Sequence, residues 1–228
     1  MSTRGGFRGV RWLAAAAACA VIPTAAGAQL RQIELTPFVG AYLPATDVAR
    51  ASENIGGSAI DIKVKQKAAF VVGGSARSWL TGRWGIEGTA AYALSDAEVT
   101  AAAGGESGSA STNANVWLFN AKLLARLSRP ASTTTIFVGA GPAVIHRSGE
   151  VYNDLEGVRL RNLTDVGGVL SAALSYPVVQ NLALHVGGEA YLYGTRLEGQ
   201  VIGEPGSYKF DSRFQSDFVL SAGLGFRW

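Results

Sequence analysis

The chain has 228 residues, 48% of them hydrophobic and 16% charged, with 29 glycines, one cysteine and a formal net charge of +3. That surplus comes from Arg4, Arg8 and Arg11: setting these three aside leaves 17 of the 20 basic residues against 17 acidic ones, which removes the reason to expect a nucleic-acid partner. With Cys19 as the only thiol, intramolecular disulfides and multi-cysteine metal sites are excluded.

The amino end reads as a secretory leader. Its three arginines form a basic segment, Trp12 to Ile22 an apolar one, and Ala26-Gly27-Ala28 a small-residue cleavage site. Residues 1–28 are therefore expected to be a signal peptide, and 29–228 the mature domain. Pro23, Thr24 and Gly27 interrupt the apolar run, which is too short for a spanning helix. Cys19 follows Ala16 to Ala18 without the leucine of a lipid-attachment site, and it leaves with the leader.

Beyond the leader the recurring signal is alternation, which in a strand sends successive side chains to opposite faces. Strand one places Ile33, Leu35, Val39, Ala41 and Leu43 on one face, with Glu34, Thr36, Phe38 and Tyr42 on the other. Strand two carries Phe70, Val72 and Ala76 opposite Ser75 and Arg77. Its pattern extends back through Ile60, Ile62 and Val64, with Lys63, Lys65 and Lys67 between them, so a long strand projecting past a membrane is expected. After a turn at Thr81-Gly82-Arg83, strand three has Trp84, Ile86, Ala90, Tyr92 and Leu94 opposite Glu87 and Thr89. Strand four has Trp117, Phe119, Ala121, Leu123 and Ala125 opposite Asn120, Lys122 and Arg126.

Strand five runs from about Thr134 to His146, with Ile136, Val138, Ala140 and Val144 on its apolar face. Strand six has Val166, Leu170, Ala172, Leu174 and Tyr176, and its pattern reaches back to Val158. Strand seven has Leu182, Leu184, Val186, Ala190 and Leu192 opposite His185, Glu189, Tyr191 and Tyr193. The last strand, read from Phe210, has Phe214, Phe218, Leu220, Leu224, Phe226 and Trp228 opposite Arg213, Gln215, Asp217, Val219 and Arg227. Short turns near Thr81, Arg129 and Pro177 alternate with long polar segments near 45–58, 98–112, 148–157 and 194–207, the asymmetry of periplasmic turns and external loops.

Parity alone leaves two readings of the faces. A soluble ligand-binding barrel turns the apolar face inward; a membrane barrel turns it outward. The charges share their face with glycine and serine, which suits a crowded polar interior, and Trp84, Tyr176, Phe226 and Trp228 fall where an interfacial girdle belongs. Spanning strands must close into a ring, because lipid satisfies no backbone group. The expected fold is all-β: one eight-stranded antiparallel up-and-down transmembrane β-barrel in the bacterial outer membrane.

The terminal Ser221-Ala222-Gly223-Leu224-Gly225-Phe226-Arg227-Trp228 resembles the carboxy-terminal assembly signal of outer-membrane barrels, through Ser221, Gly223, Phe226 and Trp228. With the strand pattern, it makes the mature chain resemble the small outer-membrane barrel family that includes the OmpA transmembrane domain, OmpX and OmpW. The resemblance implies outer-membrane lipids, lipopolysaccharide and the barrel-assembly machinery as partners, with ligands of the external loops to be identified. The resemblance covers the barrel and not a peptidoglycan-binding portion, so anchoring to the cell wall is not expected.

Two constellations are candidates for chemistry. The inward charges Glu34, Arg77, Glu87, Lys122, Arg126, His185, Glu189 and Arg227 are expected to pair in a narrow lumen, because an unpaired buried charge is costly. They form either a plug or the gate of a narrow pore for small or hydrophobic solutes. His146 and Ser148 share parity at the outer rim and resemble the His-x-Ser pairing of outer-membrane lipid A deacylases, with histidine as base and serine as nucleophile. Gly149 stands where that family's pattern has asparagine, so a strand leaving the membrane into a turn is the preferred reading. Asn153, Asp154 and Glu156 read as solvated loop groups, and no phosphate-binding or zinc-binding spacing occurs. The expected function is a non-enzymatic outer-membrane barrel, without cofactor, that presents its external loops as the working surface.

Overall fold

The computed structural model describes residues 33–228 except 56–57, 104–105, 130–131, 154–157, 162, 196–197, 202–207 and 210–212. The expected leader, residues 1–28, lies outside the described residues.

Eight strands close into one antiparallel barrel: β1 (Ile33–Pro44), β2 (Ala69–Trp79), β3 (Trp84–Leu94), β4 (Asn115–Arg126), β5 (Thr135–Ser148), β6 (Thr164–Val179), β7 (Leu182–Thr195) and β8 (Arg213–Arg227). Each strand pairs with its neighbours in sequence, and β8 returns to β1 through pairs such as Leu35 with Phe226. The backbone therefore has no free edge in the spanning region, as lipid requires. Following paired positions once round the ring leads from Ile33 through Ser78, Ile86, Leu123, Ala140, Leu170, Ala190 and Phe218 to Leu43. The stagger is ten residues, from 33 to 43 on β1. For eight strands this sets a tilt of about 40° and a bore that side chains fill.

The faces are those of a membrane barrel. Ile33, Leu35, Val39, Phe70, Ile86, Phe119, Leu123, Leu170, Val186 and Leu220 all stand exposed on the outer surface. Trp84, Tyr176, Phe226 and Trp228 edge this band at the short-turn end; Trp117, 4.4 Å from the Tyr92 ring, and Phe214 edge it at the other. From Phe226 to Phe214 the strand climbs about 30 Å at the barrel's tilt, the depth of a hydrocarbon core. Short turns close the lower end. At the first, Leu80 and Thr81 donate to the Trp84 carbonyl, and the Thr81 hydroxyl accepts from the Trp84 amide at 2.9 Å.

Above the upper rim the structure departs from the expectation of long loops. Ala49–Ile55, Ser58–Gln66, Asp96–Ala103 and Glu106–Asn113 form a four-stranded sheet that continues β1 to β4. Val158–Arg161, Glu198–Val201 and Tyr208–Lys209 form a three-stranded one continuing β6 to β8. The second and sixth strand patterns thus do reach beyond the rim, but through separate segments. Strand two breaks at Lys67-Ala68, where the Lys67 amide donates to Asp96 and its carbonyl accepts from Ser95. The break reverses parity. Val64 and Gln66 are buried, and Lys65 turns outward, contrary to a continuous strand in which the lysines would share the face of Arg77. The extension has a small core of its own, Val48, Val64, Ala97, Ala114 and Tyr152. Tyr152 comes from a single helical turn, α1 (Glu150–Asn153), which follows β5. The chain reverses into α1 at Gly149, whose φ of 133° is a glycine conformation and whose Cβ would strike the Asn113 carbonyl.

Candidate functional site in the barrel lumen

Four of the charged residues occupy directly paired positions on four consecutive strands: Glu34 of β1 faces Arg77 of β2, Arg77 faces Glu87 of β3, and Glu87 faces Lys122 of β4. Opposite charges on facing positions of one sheet surface attract, and here the sign alternates along a line across the strands. Arg77 donates from Nη1 to Glu34 at 3.0 Å and from Nε to Glu87 at 2.8 Å, with its Nη2 also on Glu87. Lys122 lies 2.8 Å from Glu87 and reaches across the lumen to Glu189 of β7. Arg227 of β8 closes the other end on the second oxygen of Glu34. The result is a chain of three cations and three carboxylates, Arg227, Glu34, Arg77, Glu87, Lys122 and Glu189, without net charge. Buried charges survive only with such partners, since an isolated one carries a large desolvation penalty.

His185 joins this ring. Its Nε2 lies 2.8 Å from Glu34 and 3.4 Å from the Ser175 hydroxyl, and its Nδ1 lies 3.4 Å from Arg77 Nη1. Gly225 stands beside the imidazole, where a Cβ would come 2.5 Å from Nε2. Phe137 supports the ring from β5: the Arg77 guanidinium sits 4.1 Å above its centroid. Arg126 differs from expectation. Its guanidinium lies 4.3 Å over the Trp79 ring, and its Nε has no hydrogen-bond partner, so it flanks the ion chain without belonging to it.

Two cavities flank the ring. One of about 70 Å³ at the short-turn mouth is lined by Glu34, Arg77, Trp79, Arg126, Ser175 and Arg227. One of about 50 Å³ above it is lined by Thr36, Ser75, Arg77, Lys122, Ser171 and His185, among others. Arg77 is a wall of both. The upper chamber has room for about three to five waters.

Higher still, the interior is apolar, against the expectation of a polar lumen throughout. Val71, Ala91, Leu118, Ala143, Val169 and Val219 are buried on the inner face, with Phe38 packed against them. Above this band lies a second polar cluster that the sequence reading did not assemble. Asp217 accepts from Tyr42 at 2.7 Å and Tyr193 at 2.5 Å; Arg147, 1% exposed, bonds Tyr193 at 2.7 Å and Asp165 at 2.5 Å, and Thr195 donates to Asp165. Its signal was present in the inward parity of Tyr42, Tyr193 and Asp217. Tyr152 then caps the mouth, its hydroxyl 3.0 Å from Gln66 Oε1. Burial pushes that phenol up to about 12, although nearby Arg147 works in the opposite direction.

The outer-rim candidates stay apart. His146 and Ser148 do lie on the outward face, but His146 Nδ1 is 2.8 Å from the Thr164 hydroxyl, and Glu150 accepts from Thr112 at 3.4 Å. Gly149 follows from the reversal described above, which accounts for the departure from the deacylase pattern. Of the terminal residues, Ser221 and Gly223 line the upper chamber, whereas Phe226 and Trp228 stand in the lower girdle. Among the described residues, no group of three or more histidine, cysteine, aspartate or glutamate side chains could hold a metal.

Solved structures share this fold. The chain aligns with the outer membrane protein OprG from Pseudomonas aeruginosa over 87% of its own length and 96% of the other, with a TM-score of 0.63 and 13% identity. It aligns with the outer membrane protein AlkL, determined in DMPC bilayers, over 91% and 95%, with a TM-score of 0.57 and 10% identity. With the outer membrane protease OmpT from Escherichia coli the figures are 90% and 99%, 0.51 and 11%. No protein-family model and no curated protein matches the sequence. The fold is that of bacterial outer-membrane barrels.

Proposed function

We propose, from the fold it shares with bacterial outer-membrane barrels, that this chain is a non-enzymatic integral outer-membrane protein whose barrel anchors a working surface outside the cell. The observation that carries this reading is the filled lumen. A charge ring, an apolar band and a phenol-carboxylate cluster lie in series along the axis, each buried and each with internal partners. A solute crossing the barrel would have to displace all three. The extension above the rim, by contrast, has its own core beneath Tyr152, so its hairpins are held as a defined platform. Binding surfaces are commonly carried in this way, by connections on a rigid scaffold.

The narrow-channel reading has one observation in its favour, the pair of cavities on either side of Arg77. Single-channel recording of the refolded protein in planar bilayers separates the two, with heat-modifiable gel mobility to certify folding. The scaffold reading expects silent bilayers from folded protein; reproducible discrete openings would overturn it. Lipid A deacylation is not proposed, since His146 is engaged with Thr164 and not with Ser148.

A further inference from the structure

Among the described cations of the lumen, Arg77, Lys122, Arg147 and Arg227 each have a carboxylate, and Arg126 has none. The ion chain is already neutral without it, so Arg126 adds an uncompensated positive charge at the short-turn mouth. Its buried Nε has no hydrogen-bond partner, which is costly for a donor withdrawn from water. Only the face of the guanidinium is engaged, 4.3 Å over the Trp79 ring. A stacked guanidinium keeps its in-plane N–H edge free, and that edge is the fork that matches two oxygens of one anion.

The fork is held in place from behind. Trp79 meets Phe137 edge to face, with centroids 6.0 Å apart, and Phe137 in turn lies under Arg77. The Arg126 amide donates to the Arg83 carbonyl at 2.8 Å, which fixes the end of β4. In front of Arg126 is the cavity of about 70 Å³, room for about five to seven waters and so for the four oxygens of one tetrahedral anion. Its other walls add donors. Thr135 and Ser175 occupy paired positions on β5 and β6. Arg227 spends Nε on Glu34 and Nη2 on Ser175, and its Nη1 has no partner among the described residues. Glu34, the cavity's carboxylate, is already taken up by Arg77, Arg227 and His185. Outside the cavity, Arg83 and Arg129 are exposed on the first two short turns, and no aspartate or glutamate occurs in 79–86, 123–135 or 176–184. Cations gathered at one end without acidic neighbours draw anions toward it.

We propose that the short-turn mouth binds a tetrahedral oxyanion, inorganic phosphate or the phosphomonoester end of a small solute. Arg126 grips two of its oxygens, and Arg227 Nη1 and the Thr135 hydroxyl take the others. The site is entered from the compartment below the barrel and nothing has to cross the charge ring, so it operates in a barrel that passes no current.

The test uses the mature chain refolded in uncharged maltoside micelles, with folding certified by gel mobility. Binding of radiolabelled inorganic phosphate is measured by equilibrium dialysis. The expected result is saturable binding of one phosphate per chain, displaced by sulfate but not by chloride at equal ionic strength. Arg126→Gln, which keeps a planar group over Trp79, should weaken it about tenfold or more, the loss that follows from removing a charge-assisted hydrogen bond. Arg129→Gln removes the same charge from an exposed turn and should change it no more than about twofold. Equal losses in the two variants would reduce the effect to general attraction and overturn the proposal. So would a wild type in which chloride displaces the label as well as sulfate does, a result that needs no variant to fold. Adding phosphatidylglycerol to the micelles separates the two sources of phosphate. The site lies inside the ring of strands, so the label should stay bound; its displacement by the lipid would overturn the assignment to a free anion.

Discussion

Arg77→Met is the sharpest perturbation of the charge ring. The methionine keeps an unbranched chain against Phe137, but it removes the cation that Glu34 and Glu87 share, whose own side chains are 5% and 6% exposed. Removing one member of a buried pair costs about 3–5 kcal/mol when the partner is left uncompensated. Here each carboxylate retains another cation: Glu34 has Arg227, and Glu87 has Lys122 at 2.8 Å. The lower end is therefore expected, about 3 kcal/mol. Most of that loss comes from the surplus negative charge left in the buried ring, so Glu87→Gln introduced beside Arg77→Met should cost less than its value alone. The double variant should be more stable than additivity allows by about 1.5 kcal/mol. Urea titration of refolded protein in lipid vesicles, followed by tryptophan fluorescence and gel mobility and extrapolated linearly, measures all three. If Arg77→Met stays within about 0.5 kcal/mol of the wild type, the range of an ordinary surface change, the ring contributes nothing and the reasoning fails.

Three further outcomes are expected. Gly141→Ala should lower folded yield by gel mobility, because a Cβ there overlaps the Ala121 carbonyl where Pro142 has no N–H to give the ladder, whereas Gly168→Ala, 3.7 Å from its nearest backbone oxygen, should fold normally. Leu220→Arg, on a position 54% exposed between the two aromatic girdles, should cost about 2–4 kcal/mol in vesicles as a charge placed in the hydrocarbon. Tyr152 supplies a pH test: its phenol rises from 10.0 to about 12 on folding, so the unfolded form ionises first. Its contribution is complete below pH 10 and is lost as pH rises through about 12. Protease resistance of the extension should therefore fall across that window more steeply in the wild type than in Tyr152→Phe; equal profiles would remove Tyr152 from the cap.

Much of the fold was legible because period-two alternation and lipid exposure act residue by residue. Leu182, Leu184 and Val186 announce their face whatever lies across the barrel. The inward charges were legible for the same reason, yet their partners were not. That Glu34, Arg77, Glu87 and Lys122 share one line depends on the register of three ladders, and the reach of Lys122 to Glu189 depends on closure of the ring. Arg126 has the same parity as Lys122, two turns of the pleat lower, and only the position of Trp79 separates it from the ion chain. Parity also fails where a strand breaks. Ile60 to Ala76 reads as one alternation, but the interruption at Lys67-Ala68 shifts the faces, so the lysines above it turn away from the lumen. The apolar inner band escaped because Val71, Leu118, Val169 and Val219 are single residues on faces marked by charge, and they form one cluster only across the closed bore.

The claim on which everything else rests is that the apolar face meets lipid and the charged face meets the lumen. Single-tryptophan variants in vesicles of brominated lipid test it directly. Trp117 stands 40% exposed on the outer surface, while Trp79 faces inward between Arg126 and Phe137. The account requires strong quenching of Trp117 and weak quenching of Trp79; the reverse order would contradict it.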